Sequence, residues 1–426
     1  MTLRQLTRDQ LAQVSVNSID EATCDTARTI LDEVRTGGEA AVRGIGERLG
    51  DLSHEQPLIL EQDDLQRAWE RLSTETATLL ERTAARIRRF AEAQRAALRD
   101  CELQIEGGHV AHRWLPLEFA GCYAPGGRYP LPSSVLMTAV TARVAGVREV
   151  WVASPRPTDD TLAAAALAEA NGVLAVGGAQ AIGALAYGLE GVLPACDVVV
   201  GPGNRFVTAA KSIIARDTRI DMLAGPSELV VAASGDADPI QVAADLIAQA
   251  EHDVDARAIL VTDDEELATL VNAKIEGQLA DLPTSATAAA ALAQSGYVLV
   301  SDVDEAIAYC RLIAPEHLSL QGATYEAEAS RFTAGASLFI GSASPQVLGD
   351  YGVGPNHVLP TGRSARAQSG LSVATFLRLQ TQVQIDDVMA AQAVIGDAAA
   401  LGRLEGLEGH ARSAQQRLHP AGSELP

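Results

Sequence analysis

Four short segments concentrate the residue types that can bind a metal ion or move a proton. Gln249 and His252 fall in QAEH, Glu316 and His317 adjoin in APEHL, Asp350 and His357 lie in GDYGVGPNH, and His410 follows Glu405 in EGLEGHA. Imidazole and carboxylate around an open coordination position are what a Lewis-acid metal needs. Histidine, with an ordinary pKa of about 6.5, is also the side chain suited to proton transfer near neutrality. Gln249 and His252 are three apart near the end of a predicted helix, so they share a face. Spacing alone does not select Gln249, because carboxylate, imidazole and thiolate bind zinc better than an amide. A single histidine beside polar residues is more often a satisfied core or surface group than a ligand. His54, His109, His112 and His419 read that way; His109 and His112, three apart in a predicted strand, point to opposite faces. The five cysteines, Cys24, Cys101, Cys122, Cys196 and Cys310, form no C-x-x-C pair, which argues against a disulfide framework or a thiolate zinc site.

The elements that must position these residues alternate between strand and helix. VWVAS, GVLAVG and DVVVGPG read as short buried strands between about 130 and 225, and ELVVAAS, AILVT, YVLVS and SLFIG as a second set between about 228 and 345. Ala-rich helical stretches separate them. Such βαβ alternation implies two doubly wound α/β modules, with ligands at the carboxyl ends of the strands. Three glycine turns follow strands: Tyr123 to Gly127, Gly177 to Gln180, and Gly201 to Asn204. The last is an incomplete dinucleotide fingerprint, since Phe206 stands where a third glycine would. Before these modules, Glu21 to Val34 is predicted as a helix stopped at Gly37 and Gly38, Asp64 to Leu98 as a long amphipathic helical stretch, and residues 101–125 as short strands with a hairpin turn at Gly107 and Gly108. Residues 342–370, rich in Gly, Pro and Ser, are expected to be a long loop, functional or disordered, and the chain from Leu371 mostly helical.

Composition bounds the alternatives. A length of 426 residues favours two or three domains. The formal net charge of −22 disfavours nucleic acid and anionic membranes as partners, and weakly favours a cationic substrate. The arginines from Arg82 to Arg99 are interleaved with Glu81, Glu92 and Asp100, as on a solvated helix face. No apolar run approaches a membrane span and the N-terminus lacks a signal-peptide stretch, so a cytoplasmic location is expected.

Eight motifs in order carry a resemblance: GCYAPGG, VGGAQAI, VGPGN, AGPSE, QAEH, APEHL, GDYGVGPNHVLPT and EGLEGHA. Over nearly its whole length the chain resembles the histidinol dehydrogenases. That family oxidises L-histidinol to L-histidine, the last steps of histidine biosynthesis, in two NAD-dependent steps through bound histidinal, with one zinc ion per active site. The resemblance implies zinc ligands Gln249, His252, Asp350 and His410. It implies substrate contacts from Ser227, Gln249, His252, His317, Asp350, His357, Glu405 and His410, cofactor contacts from Tyr123, Gln180 and Asn204, and a catalytic pair Glu316 and His317. It further implies an α/β fold of two Rossmann-like modules with helical N- and C-terminal extensions, in an intertwined homodimer that supplies Glu405 and His410 in trans. The expected division is a dimerisation segment 1–18, a main domain 19–122 plus 228–368, a cofactor-side domain 123–227, and a C-terminal dimerisation domain 369–426. On one straight helix Glu405 and His410 would lie about 140° apart, and Gly406 and Gly409 are expected to bend it.

Under that resemblance His317 is the base for alcohol oxidation and Glu316 the carboxylate that activates water for the aldehyde step. A ligand set of one amide, two neutral imidazoles and one carboxylate leaves zinc with a net charge of about +1, suited to holding the amine and imidazole nitrogens of the substrate. Accurate holding of that kind is worth on the order of several kcal/mol. His357 is expected to orient substrate or share proton transfer. The rival readings are a zinc hydrolase working without NAD, a dehydrogenase for another amino alcohol, a binding protein without turnover, and a covalent route with Cys122 as nucleophile.

Overall fold

Strands covered on both faces need no polar alternation, and Glu228–Ala233 is buried at every position. It lies at the centre of a six-stranded, wholly parallel sheet in the order Arg4–Gln5, Gly296–Leu299, Arg257–Thr262, Glu228–Ala233, His317–Gln321, Ser337–Ile340. Leu229 and Val231 face one hydrophobic layer with Leu246 and Val271, while Val230 and Ala232 face another with Ile307, Leu318 and Tyr325. Each fully buried side chain of this size contributes roughly 1.5–3 kcal/mol of transfer free energy.

A second six-stranded sheet runs Ile59–Glu61, Gly172–Leu174, Glu149–Ala153, Phe119–Tyr123, Val198–Val200, Arg219–Ile220, parallel except for the first pair. In each sheet the chain winds one way from a central strand and then returns to wind the other. The switch points lie between Glu228–Ala233 and His317–Gln321 in the first sheet, and between Phe119–Tyr123 and Val198–Val200 in the second. The chain is therefore a mixed α/β protein with parallel sheets and many helices.

The computed structural model describes residues 3–12, 19–126 and 130–418. Two compact units divide it: Met1–Arg95 with Leu117–Phe376, which holds both six-stranded sheets, and Ala96–Pro116 with Leu377–Pro426. The second unit pairs Leu377–Ile385 with Gly108–Pro116, and that strand with Cys101–Ile105, all antiparallel. Helices Gln392–Leu404 and Glu408–Gln415 pack on each other within it. Among the described residues no helix is long and apolar enough to cross a membrane.

The helix that starts at Glu21 is interrupted at Gly38 as expected, where φ is 55° and ψ −136° and glycine alone is unstrained, and a second helix then continues to Leu49. The segment Glu21–Leu49 packs on helices Gly178–Tyr187 and Arg205–Ile214 of the second sheet. The helical stretch expected from Asp64 consists of two helices, Gln62–Arg71 and Thr74–Ala97. Residues 377–385 form a strand where helix was expected. Of the expected dimerisation segment, residues 1–2 and 13–18 lie outside the described residues, as do Gly127 and His419.

Candidate active site

The sharp turn out of helix Val303–Ile313, with Ala314 left-handed at φ 45°, delivers Glu316 and then His317 as the first residue of a buried strand. Ser227 immediately precedes the neighbouring strand, whose Leu229 is in register with His317. These groups therefore sit at the amino ends of the first sheet, not the carboxyl ends expected for such a module. In the second sheet, Tyr123, the Gly177 turn and the Gly201 turn all lie at the carboxyl ends, around its switch point. A cavity of about 190 Å³ joins the two, lined by Pro202 from the second sheet and by Ser227, His252, Glu316, His317, Asp350 and His357.

His317 is 3% exposed. Its Nδ1 lies 3.3 Å from the carbonyl oxygen of Glu228. A carbonyl only accepts, so Nδ1 carries the hydrogen and Nε2 the lone pair. Nε2 has no hydrogen-bond partner and stands 3.7 Å from Asp350 Oδ1. Burial pushes the imidazole pKa down against the pull of Asp350, so the ring is neutral at pH 7. Phe339 packs at a ring separation of 5.9 Å, and a Cβ on Gly349 would lie 2.7 Å from that ring. Glycine there lets the Asp350 turn close on Phe339.

Glu316 Oε2 accepts from Ser227 Oγ at 2.6 Å and from the Glu228 backbone N–H at 2.9 Å. Burial raises its pKa to about 7 in spite of these donors, leaving a carboxyl that gains or loses a proton near neutrality. His357 Nδ1 donates to the Asp350 carbonyl at 3.0 Å, and Ser134 Oγ approaches its Nε2 at 3.4 Å. Burial lowers the His357 pKa to about 4, so at pH 7 the ring is neutral and its Nε2 an acceptor. Ser134 is placed by a π-turn over Leu136–Val140, a device that recurs at functional sites. Its loosened carbonyls find partners in Thr138 Oγ1 on Ser134 O, and in Asn356 Nδ2 and Thr141 Oγ1 on Met137 O.

Gln249 ends helix Pro239–Ala250 and His252 lies just beyond it. The Gln249 side chain is fully buried, yet neither of its amide atoms has a hydrogen-bond partner, and Asp350 Oδ2 lacks one too. Buried polar groups are ordinarily paired, and of these atoms the two oxygens, Gln249 Oε1 and Asp350 Oδ2, fit a cation. Among the described residues no three His, Cys, Asp or Glu side chains cluster closely enough to hold a metal ion. Gln249, His252 and Asp350 contain only two such groups. Glu405 and His410, both exposed, stand in the second compact unit, where Gly406 at φ 75° breaks the helix between them as expected.

At the carboxyl ends of the second sheet, Tyr123 is 3% exposed and its hydroxyl accepts from Gly178 N at 3.2 Å. Gln180 is buried with Oε1 unpartnered. Asn204 caps helix Arg205–Ile214, its Oδ1 accepting from Phe206 N and Val207 N at 3.0 and 3.1 Å. Gly201, at φ 113°, has no room for a side chain, since a Cβ would lie 2.0 Å from the Tyr123 carbonyl oxygen. Cys122 is fully buried and its thiol is pushed up to about 12 by burial, which removes it as a thiolate nucleophile.

The sequence and the fold agree with known proteins. A family model described as histidinol dehydrogenase matches residues 14–418. The chain belongs to the histidinol dehydrogenase family. The histidinol dehydrogenase of Haloarcula marismortui is 44% identical over 93% of this chain and 94% of its own. That of Thermus thermophilus is 42% identical over 94% and 96%. A histidinol dehydrogenase homolog from Ruegeria pomeroyi is 41% identical over 92% of each. The crystal structure of histidinol dehydrogenase from Elizabethkingia anophelis superposes with a TM-score of 0.91 at 30% identity, covering 98% of both chains.

Three supports of this histidinol dehydrogenase fold escape motif reading. Asp51, after the first long helix, accepts from Gly177 N at 2.9 Å and Gln180 Nε2 at 3.4 Å, holding that turn. The buried Lys211 and Asp221 pair holds the Gly201 turn. Glu228, 7% exposed, accepts from Gly362 N at 3.2 Å. Burial and the neighbouring Glu316 raise the Glu228 pKa from 4.5 to about 7. A carboxyl raised in the folded state stabilises below pH 4.5, and that contribution is lost as pH rises through 7, at most roughly 3 kcal/mol. Glu228→Gln keeps an acceptor for Gly362 without the charge. Metal-free Glu228→Gln is expected to melt above wild type at pH 8, with the gap closing towards pH 4.5. An equal gap at both pH values would show that the charge is not the cause.

Proposed function

We propose that this protein oxidises L-histidinol to L-histidine in two successive steps through bound histidinal, as the last steps of histidine biosynthesis, with two NAD and one zinc ion per subunit. The observation that carries this reading is the pair at 316 and 317: a neutral imidazole with its Nε2 lone pair free beside a carboxyl poised at about 7. Bound NAD supplies the hydride acceptor, and bound zinc an anchoring charge for the amine and imidazole nitrogens of the substrate. Gln249, His252, Asp350 and His410 hold the zinc; Tyr123, Gln180 and Asn204 hold the cofactor.

His317 Nε2 takes the hydroxyl proton as hydride leaves the carbinol carbon. Glu316, with Ser227 donating to it, then takes a proton from the water that adds to the aldehyde, and the resulting hydrate loses the second hydride. Adjacent residues thus serve both half-reactions without release of the aldehyde. His357 accepts from the substrate or from Ser134 and orients both. Ser227 lines the cavity beside the substrate.

Glu405 and His410 complete each site from the partner subunit. Supporting this homodimer, large exposed apolar side chains gather in the second compact unit, among them Leu103, Val383, Met389, Leu401 and Leu404. Mixing His317→Asn and His410→Ala subunits by unfolding and refolding is expected to restore about a quarter of wild-type activity, because half the dimers are mixed and each has one complete site. A mixture as inactive as its parents counts against assembly in trans.

The decisive assay is NADH formation from L-histidinol before and after chelation and zinc repletion. Two NADH per histidine, lost on chelation and restored by zinc, are expected; no NADH from the zinc-loaded protein overturns the reading. Because the Ruegeria pomeroyi homolog is as similar as named histidinol dehydrogenases, a different amino alcohol is the second reading. Turnover of other amino alcohols but not of histidinol selects it.

A further inference from the structure

We propose that Gln346 is a positioning residue of the metal site, held to hydrogen-bond the Asp350 carboxylate. This rests on the zinc reading above. Gln346 is completely buried, and neither its Oε1 nor its Nε2 has a hydrogen-bond partner. An amide shut away from water with both ends unmade is retained at a cost unless a ligand arrives to complete its surroundings.

Its place in the chain says where that ligand lies. Gln346 has helical backbone angles, φ −57° and ψ −31°, and leads directly into the turn Val347–Tyr351. Asp350 is four residues on, so the two side chains stack on one face, with Asp350 leaning back towards Gln346. Asp350 Oδ2 is itself unpartnered. Of eleven buried side-chain atoms without partners among the described residues, six belong to Gln249, His317, Gln346 and Asp350. The turn cannot rotate to relieve this lack, because Gly349 is held against Phe339, which packs on His317.

A carboxylate that binds an ion through one oxygen needs a donor at the other, and partners of this kind orient the ligand and tune affinity. The Gln346 Nε2 is the neutral donor available one turn away. It adds no charge to the site.

The test is zinc affinity by competition with a chromophoric chelator, together with thermal melting of the metal-free protein, for wild type and Gln346→Met. Methionine keeps the length and removes the unpaired amide. Zinc affinity is expected to fall by about ten- to a hundredfold, while the metal-free melting temperature stays level or rises. A purely structural glutamine would do the reverse, lowering the melting temperature and leaving affinity within twofold; that result overturns the proposal. Wild-type protein that binds no zinc overturns the metal reading as well, whereas normal wild-type binding with an unchanged variant overturns this proposal alone. If Gln346→Met does not fold, Gln346→Asn, which keeps an amide but withdraws it, is expected to lose affinity by about fivefold or more, and unchanged affinity there is equally fatal.

Discussion

His317→Asn is expected to lower the rate of histidinol oxidation by roughly 10²–10⁴-fold, the usual worth of a positioned base. Asparagine can still donate an N–H to the Glu228 carbonyl that the imidazole Nδ1 now meets, so the fold and substrate affinity should persist. What it cannot supply is the lone pair of Nε2. A variant that retained a tenth or more of wild-type kcat would end the assignment of His317 as base. Glu316→Gln separates the half-reactions. Its amide oxygen can still accept from Ser227 and Glu228, but it no longer takes a proton from water. Histidinal oxidation should then fall by about a hundredfold, with the histidinol step much less affected. Equal slowing of both steps would remove its special role. The pH profiles carry the same signature. A base must be deprotonated, so the aldehyde step in wild type should rise as pH passes about 7, the value to which burial lifts Glu316, and Glu316→Gln should flatten that rise. The burial-lowered His317 is already neutral there.

Lys211→Met should be the most destabilising single change outside the hydrophobic core, at about 3–5 kcal/mol. The Lys211 and Asp221 side chains are 2% and 0% exposed and form a buried ion pair. Lys211 Nζ also donates to the Gly201 carbonyl at 2.8 Å. Asp221 accepts from Gly201 N and Met222 N at 2.8 and 2.7 Å. Methionine fills the lysine volume and leaves a carboxylate without its countercharge in the interior, which costs more than the pair itself contributes. The midpoint of urea unfolding measures the loss, and a change below about 1 kcal/mol would mean that the site relaxes or hydrates. Replacing both residues, as Lys211→Met with Asp221→Asn, should recover part of the loss, because no unpaired charge remains. Since the pair holds both backbone groups of Gly201, the single variant should also raise the KM for NAD more than it changes kcat.

The parallel strands were legible because burial on both faces leaves continuous apolar runs such as the buried ELVVAA, and the hairpin at residues 101–116 because its turn glycines interrupt a short strand pattern. The strand that carries His317 was not. In HLSLQ the residues His317, Ser319 and Gln321 share the sheet face of Leu229 and Val231, so a buried strand with one polar face gives neither an apolar run nor the polar-out pattern of an exposed one. The strand Leu377–Ile385 does alternate, LRLQTQVQI, but neighbouring helical segments masked its period of two. Gly38 was legible as a helix stop because glycine is a common terminator, and a second helix, packed against the second sheet, follows it to Leu49.

By itself the sequence determined the α/β class, the glycine turns, the family and the identity of the residues that can do chemistry, because these are properties of residue type, order and local spacing. Only the tertiary structure decided what those residues are able to do. It set the tautomer of His317 through a carbonyl of the neighbouring strand, poised Glu316 by burial, and excluded Cys122 by the same burial. It also placed the pair at the amino ends of one sheet, facing the carboxyl ends of the other across a single cavity. Proton affinity and the freedom of a lone pair depend on the water and dipoles around a group, and those are supplied by segments as distant in the chain as Ser134, Glu228 and Asp350.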